Sequence, residues 1–252
     1  MTQISSNENK KCAKIICTYF GRRRTEHNTP QNTIEFLKLM IENEIEIENG
    51  VPTDVIIVNN NCNNIVNNEI LNLYHNVQTK NGKIIVENRE NIGGSFGGYY
   101  DMFLKYKDEY NYWFFCEDDV LVYKNEYIKD FINFLDSDDK LGFVSLAPIS
   151  KSYHPKHSGG GCGLTSTKKF LQSKSLTDIE DFLKIVMGLN DRYERLESYE
   201  IEFTNKFILA DMEIKNHPKY SPYCLNLNNH LGQKNNYTKN NKELEIIYKV
   251  GF

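Results

Sequence analysis

The chain predicts an α/β fold in which a doubly wound, mostly parallel central sheet is flanked by helices. Four short, largely apolar runs of strand length, Ala13–Thr18, Asp54–Val58, Lys83–Val86 and Tyr112–Cys116, alternate with helix-like segments, the pattern of right-handed β-α-β units. The second run, Asp54–Val58, is β-branched throughout its apolar residues and reads as a strand buried on both sides. The runs also end in polar tips: Thr18 and the residues to Arg22 after the first, Asn59 and Asn60 after the second, and Glu117-Asp118-Asp119 after the fourth. Ligands of such sheets sit beyond the carboxyl ends of the strands, so the tips mark the functional edge.

Taken in order, the first strand is followed by Tyr19-Phe20-Gly21 and three arginines, then by Thr29 as a helix cap with Pro30 at the first helical position. Ile34, Leu37, Ile41 and Ile45 fall on one face of that helix. After the second strand, a weaker helical pattern over Asn67 to His75 leads to the third. A glycine-rich turn, Asn91-Ile92-Gly93-Gly94-Ser95-Phe96-Gly97-Gly98, then opens a helix over Tyr99 to Tyr106. Beyond the fourth strand the pattern predicts a helix over Asn125 to Leu135, a strand over Leu141 to Leu146 and a flexible glycine loop over Ser158 to Gly163. A helix near Thr167, helices over Leu176 to Met187 and from Leu196 to Phe203, and a last strand at Tyr223 to Leu225 complete it. No repeat or linker divides the chain, so residues 1–252 read as one domain: 12–122 as a first half, 123–232 as a second, and 233–252 as a surface excursion or flexible end.

At 252 residues with net charge −4, the chain has ample length for a full core and no broad basic face for nucleic acid, Arg22-Arg23-Arg24 being its one basic cluster. No apolar run approaches the roughly 18 residues of a membrane span, and the polar start lacks a secretion signal, so the expectation is a cytoplasmic, soluble protein. The six cysteines are far apart and show no C-x-x-C spacing, which argues against zinc and against a disulfide framework. Asparagine is so abundant, about one residue in eight, that a single Asn says little.

Glycines without side chains let backbone N–H groups approach an anion at a helix start. Equally, Gly94 and Gly97 would let the helix pack closely on the sheet. Three adjacent carboxylates at a strand tip repel one another unless donors or a cation offset their charge. The combination resembles the nucleotide-sugar half of a GT-A glycosyltransferase, and most closely glycosyltransferase family 2 with its galactofuranosyl- and rhamnosyl-transferring relatives. Those relatives carry Asn-x-Gly-Gly-x-Gly-Gly followed by a strand that ends in three aspartates; Asn91 to Gly98, with one residue more between its glycine pairs, and Glu117-Asp118-Asp119 resemble them here. The likeness covers the first strand to Val120 and is sparse beyond.

The resemblance implies a GT-A, Rossmann-like fold and a metal-dependent, inverting transfer of a sugar from a nucleotide-diphosphate donor, a UDP- or dTDP-sugar, to a hydroxyl acceptor such as a glycan. It places Thr18, Tyr19, Arg22, Asn59, Asn60, Asn91, Gly93, Gly94 and Asp118 at the donor. Mn²⁺ or Mg²⁺ would lie on Glu117 and Asp119, with His230 completing the shell, since a hard cation offsets the charge of a departing diphosphate. Glu117 departs from the family's aspartate. A general base must face the acceptor; the family's Glu-Asp pair is absent as such, and Glu200 takes the role, with Glu202 and Asp191 behind it. The Ser158 to Gly163 loop occupies the place where the family lines its acceptor site, with the hydroxyls of Thr165 and Ser166 available to bond a sugar. Two rivals stand beside this reading: a sugar-phosphate nucleotidylyltransferase, whose G-x-G-T-R-like loop Thr18-Tyr19-Phe20-Gly21-Arg22 fits poorly, and a non-catalytic nucleotide-sugar-binding protein.

Overall fold

A computed structural model describes residues 10–18, 30–60, 62–118, 120–122, 124–146, 149, 157–158, 161–173, 192–220 and 246–248. The strands are β1 (Cys12–Thr18), β2 (Thr53–Asn59), β3 (Ile84–Asn88), β4 (Tyr112–Glu117), β5 (Val120–Val122), β6 (Leu141–Ser145), β7 (Gly163–Ser166), β8 (Glu213–Asn216) and β9 (Ile246–Tyr248). The helices are α1 (Pro30–Glu46), α2 (Ile65–Asn72), α3 (Gly94–Tyr106), α4 (Tyr127–Asp136), α5 (Thr167–Gln172) and α6 (Arg192–Leu209). Among the described residues, no helix is long and apolar enough to cross a membrane.

The fold is α/β, with a seven-stranded mixed sheet in the order β3-β2-β1-β4-β7-β6-β8. β1 pairs in parallel with both β2 and β4, and β2 with β3. β7 runs antiparallel to both β4 and β6, while β6 and β8 are parallel. Every residue of β1 and β2 is buried, as expected of strands covered on both faces. The alternation of side chains across β1 splits the core in two. Cys12 and Ile16 join Leu37, Met40 and Ile41 of α1 and Tyr127, Ile128 and Phe131 of α4 on one face. Ala13, Ile15 and Cys17 join Phe96, Tyr99 and Phe103 of α3 and Phe203 and Phe207 of α6 on the other. Lys14 is an intruder on the first face, wholly buried and ion-paired with Glu44 of α1, its ammonium 5.2 Å from the Tyr127 ring centre.

The first half follows the sequence reading closely apart from an earlier start to α3, and the larger differences lie in the second. The glycine loop does not run straight into a helix: Gly163 opens β7, which inserts between β4 and β6. Its backbone, at φ +153°, passes so near β6 that a Cβ there would stand 2.2 Å from the Val144 carbonyl oxygen, so glycine at this point serves strand contact and not loop freedom. β8 is unannounced by any apolar run, being short and half-exposed. The chain end is also more than an excursion, since Ile246–Tyr248 pairs antiparallel with Val120–Val122. The expected helix over Leu176 to Met187 and strand at Tyr223 to Leu225 lie outside the described residues.

Candidate functional site

Strand order reverses at β1: the chain moves from β1 to β2 and β3 on one side and then returns to place β4 on the other. Such a reversal opens a crevice between the carboxyl ends of the two strands flanking it. The register sets Cys17 beside Glu117, so the next residues, Thr18 and Asp118, meet across that crevice. The Thr18 hydroxyl donates to Asp118 Oδ2 at 2.7 Å, and both residues are buried. The neighbouring carboxylate is held from the other side, where Ser95 Oγ, itself buried in the first turn of α3, donates to Glu117 Oε1 at 2.5 Å. Hydroxyl donors of this kind favour the charged form of a carboxylate and offset part of the repulsion between neighbours. Between them, burial pushes the Cys17 thiol well up, which keeps it neutral.

The glycine turn resolves the two readings of its glycines. Gly93 and Gly94 take left-handed backbone, at φ +75° and +60°, which bends the chain into α3. The helix begins at Gly94, five residues earlier than its apolar pattern suggests. Gly97 and Gly98 serve packing: a Cβ on Gly97 would stand 1.9 Å from the Ile92 carbonyl oxygen, and one on Gly98 2.6 Å from Cys17 Sγ. Glu117 is held beside the first turn of α3 through the Ser95 hydroxyl.

Asn59 and Asn60 are buried at the tip of β2. The Asn59 amide donates to Asn68 at 2.7 Å and Asn88 at 2.9 Å. The Asn60 carbonyl oxygen accepts from Arg89 at 2.6 Å. Arg89 also reaches Asp101 at 2.7 Å and the Ile92 carbonyl at 2.8 Å, so one guanidinium ties β2, the glycine turn and α3 together. Asn91 is exposed on that turn. Sequence reasoning missed Arg89 and Ser95. Arg89 lies two residues before the turn, and Ser95 inside it, as the first of the two residues between its glycine pairs.

In the second half, Glu200 lies on a helix that packs on the start of α3 through aromatic rings. Tyr199 stacks on Phe96 of α3, with ring centres 5.9 Å apart and planes 18° apart, and Phe203 lies 5.4 Å from the same ring. Gly161, at φ +61°, passes so close to Phe96 that a Cβ would fall 2.7 Å from its ring edge. Buried His157 brings Nε2 to 3.9 Å from Glu200 Oε2. Glu202 instead turns along its own helix to Lys206 at 3.0 Å. Thr165 and Ser166 are corrected. β7 is antiparallel, so they face Trp113 and Tyr112 at the far end of β4; Thr165 donates to the Gly142 carbonyl at 2.7 Å, and Ser166 caps α5. Neither hydroxyl reaches the crevice.

Tyr19, Arg22, Asp119, Asp191 and His230 lie outside the described residues. Among the described residues no group of three or more His, Cys, Asp or Glu side chains is placed to hold a metal ion. Among the described residues, Glu117 and Asp118 offer anionic oxygen at the crevice, the donor type a hard divalent cation takes. A scan of protein-family models and a search of curated proteins both find no match to this chain.

Proposed function

We propose that the protein is a metal-dependent, inverting glycosyltransferase of the GT-A type, transferring a sugar from a nucleotide-diphosphate donor, a UDP- or dTDP-sugar, to a hydroxyl acceptor. The observation that carries the reading is the Thr18–Asp118 hydrogen bond, which seats the acidic tip of β4 at the reversal of strand order, where sheets of this kind bind nucleotides. Asp118, oriented by Thr18, addresses the sugar or ribose, while Glu117 and Asp119 are the oxygen donors for Mn²⁺ or Mg²⁺. A cation there offsets the charge of the departing diphosphate. Glu200 is the general base. It takes the proton of the acceptor hydroxyl as the new bond to the anomeric carbon forms, the bond from that carbon to the diphosphate breaks, and the electron pair leaves with the diphosphate. The half-buried position of Glu200, on a helix packed against the start of α3, suits a group that must work beside the donor but outside the metal shell.

The test is thermal-shift titration of the protein with UDP, dTDP and their sugars, with and without Mn²⁺, on the wild type and on Asp119→Ala. A metal-dependent response confined to one nucleotide, lost in Asp119→Ala together with transfer, is expected. A variant that keeps normal activity sinks the assignment. Release of pyrophosphate from a nucleoside triphosphate and a sugar phosphate would replace it with nucleotidylyl transfer.

A further inference from the structure

The departure at the head of the acidic triplet and the serine in the glycine turn meet in space. Glu117 ends β4, and Ser95 is the second residue of α3; they are 22 residues apart in the chain, and the Ser95 hydroxyl lies 2.5 Å from Glu117 Oε1. Ser95 is 4% exposed, and its carbonyl oxygen accepts from the Cys17 thiol at 3.4 Å, so its backbone is fixed against β1 as well. Gly98, whose missing side chain lets α3 settle on Cys17, holds the helix start at that height. An aspartate at 117 would be one methylene shorter, and its carboxylate would withdraw from Ser95. Glutamate is the residue that spans from the strand tip to the helix.

We propose that Ser95 is a positioning residue for the acidic tip, and that Ser95 and Glu117 are a matched pair in which the longer acid is required by the serine. The proposal rests on the glycosyltransferase reading for what the tip binds, but the pairing itself rests on the geometry alone. Thr18 does the same for Asp118, so the two described carboxylates of the tip are each clamped by a hydroxyl from a different element, one from β1 and one from α3. The two clamps fix both carboxylate positions before a cation arrives. A consequence runs against family likeness: restoring the family's residue with Glu117→Asp weakens the site.

The experiment is a double-mutant cycle on full-length protein with Ser95→Ala, Glu117→Asp and the double variant. It reads the Mn²⁺ concentration needed for half-maximal UDP binding by calorimetry, with melting temperature read alongside. Each single variant is expected to raise that Mn²⁺ requirement about ten- to a hundredfold, the usual effect of losing a partner that orients a metal-binding carboxylate. The double variant is expected to be no worse than either single one, since both remove the same contact. Additive losses, or a Glu117→Asp variant that binds Mn²⁺ and UDP as well as the wild type, overturn the pairing. If the wild type shows no Mn²⁺-dependent UDP binding, the proposed function fails and the positioning role with it. Coupling seen in melting temperature would then identify the contact as structural only, and its absence there would remove the pairing too.

Discussion

The two halves of the molecule hold their candidate site residues by different means. In the first half, Thr18, Asp118, Ser95, Glu117, Asn60 and Arg89 are fixed by short polar contacts between strand tips and the turn before α3. In the second, Glu200 lies beside His157 on a helix that is placed by Tyr199 and Phe203, whose rings pack into a cluster with Phe96, Phe115, Phe143, Phe170 and Phe207. Hydrogen bonds set direction to within a fraction of an ångström, whereas apolar packing sets position by volume. The first half is therefore built for fixed geometry, and the second for placement of a helix.

The sharpest way to break this contrast is Phe203→Ala. Phe203 is almost fully buried and lies within 6.3 Å, centre to centre, of the Phe96, Tyr99, Tyr100, Phe115, Phe143, Phe170 and Phe207 rings. Its truncation should cost about 3–5 kcal/mol in chemical denaturation and release Glu200, one turn earlier on α6. A loss below about 1 kcal/mol would mean that the helix is held by something other than this cluster.

That contrast also explains what was legible in the sequence. The first half was readable because each of its parts is contiguous: a buried strand, its polar tip, and a turn whose glycines stand next to the residues they serve. The first strand ends at Thr18 and α1 starts at Pro30 as the sequence places them, and the other three strands of this half end one or two residues beyond their expected ends. What stayed hidden depends on partners far along the chain. β7 and β8 are too short and too mixed to announce themselves. Thr165 and Ser166 looked available because nothing in their neighbourhood says that their strand runs backwards. Ser95 and Arg89 passed unnoticed because a serine in a glycine turn and an arginine in a polar loop carry no signal until Glu117 and Asn60 are known to face them.

A smaller effect is expected from Gly97→Ala, which probes the polar half. The added methyl would meet a backbone oxygen, and backbone yields less readily than a side chain. Destabilisation of about 1–3 kcal/mol is expected, with the first turn of α3 displaced and Mn²⁺-dependent nucleotide binding weakened beyond what the lost stability explains. Retention of full binding at wild-type stability would show that the turn tolerates a shift, and that the polar contacts do not demand the fixed geometry argued for them.

The smallest effect separates the halves by pH. In the first half, burial acts to raise the Asp54 carboxyl but is outweighed by hydrogen bonds from Lys11, Tyr110 and the Lys83 N–H, which leave it below its ordinary 3.8. Its contribution is present above that value and is lost only as pH falls through the folded-state value. In the second half, burial lowers His217 from 6.5, against an opposing pull from Asp130; its ring stacks on Phe131 with centres 4.6 Å apart. Below 6.5 the unfolded chain takes up a proton that the folded protein refuses, so stability tied to His217 is complete above 6.5 and declines as pH falls toward its lower folded value. Denaturation curves between pH 8 and 5 should therefore be flatter for His217→Gln than for the wild type, while Asp54→Asn should lower stability evenly across that window, leaving its slope unchanged, and alter the slope only below about pH 4. If both variants alter the same window, acid sensitivity does not divide along the line between polar clamps and aromatic packing, and the contrast holds for geometry but not for charge.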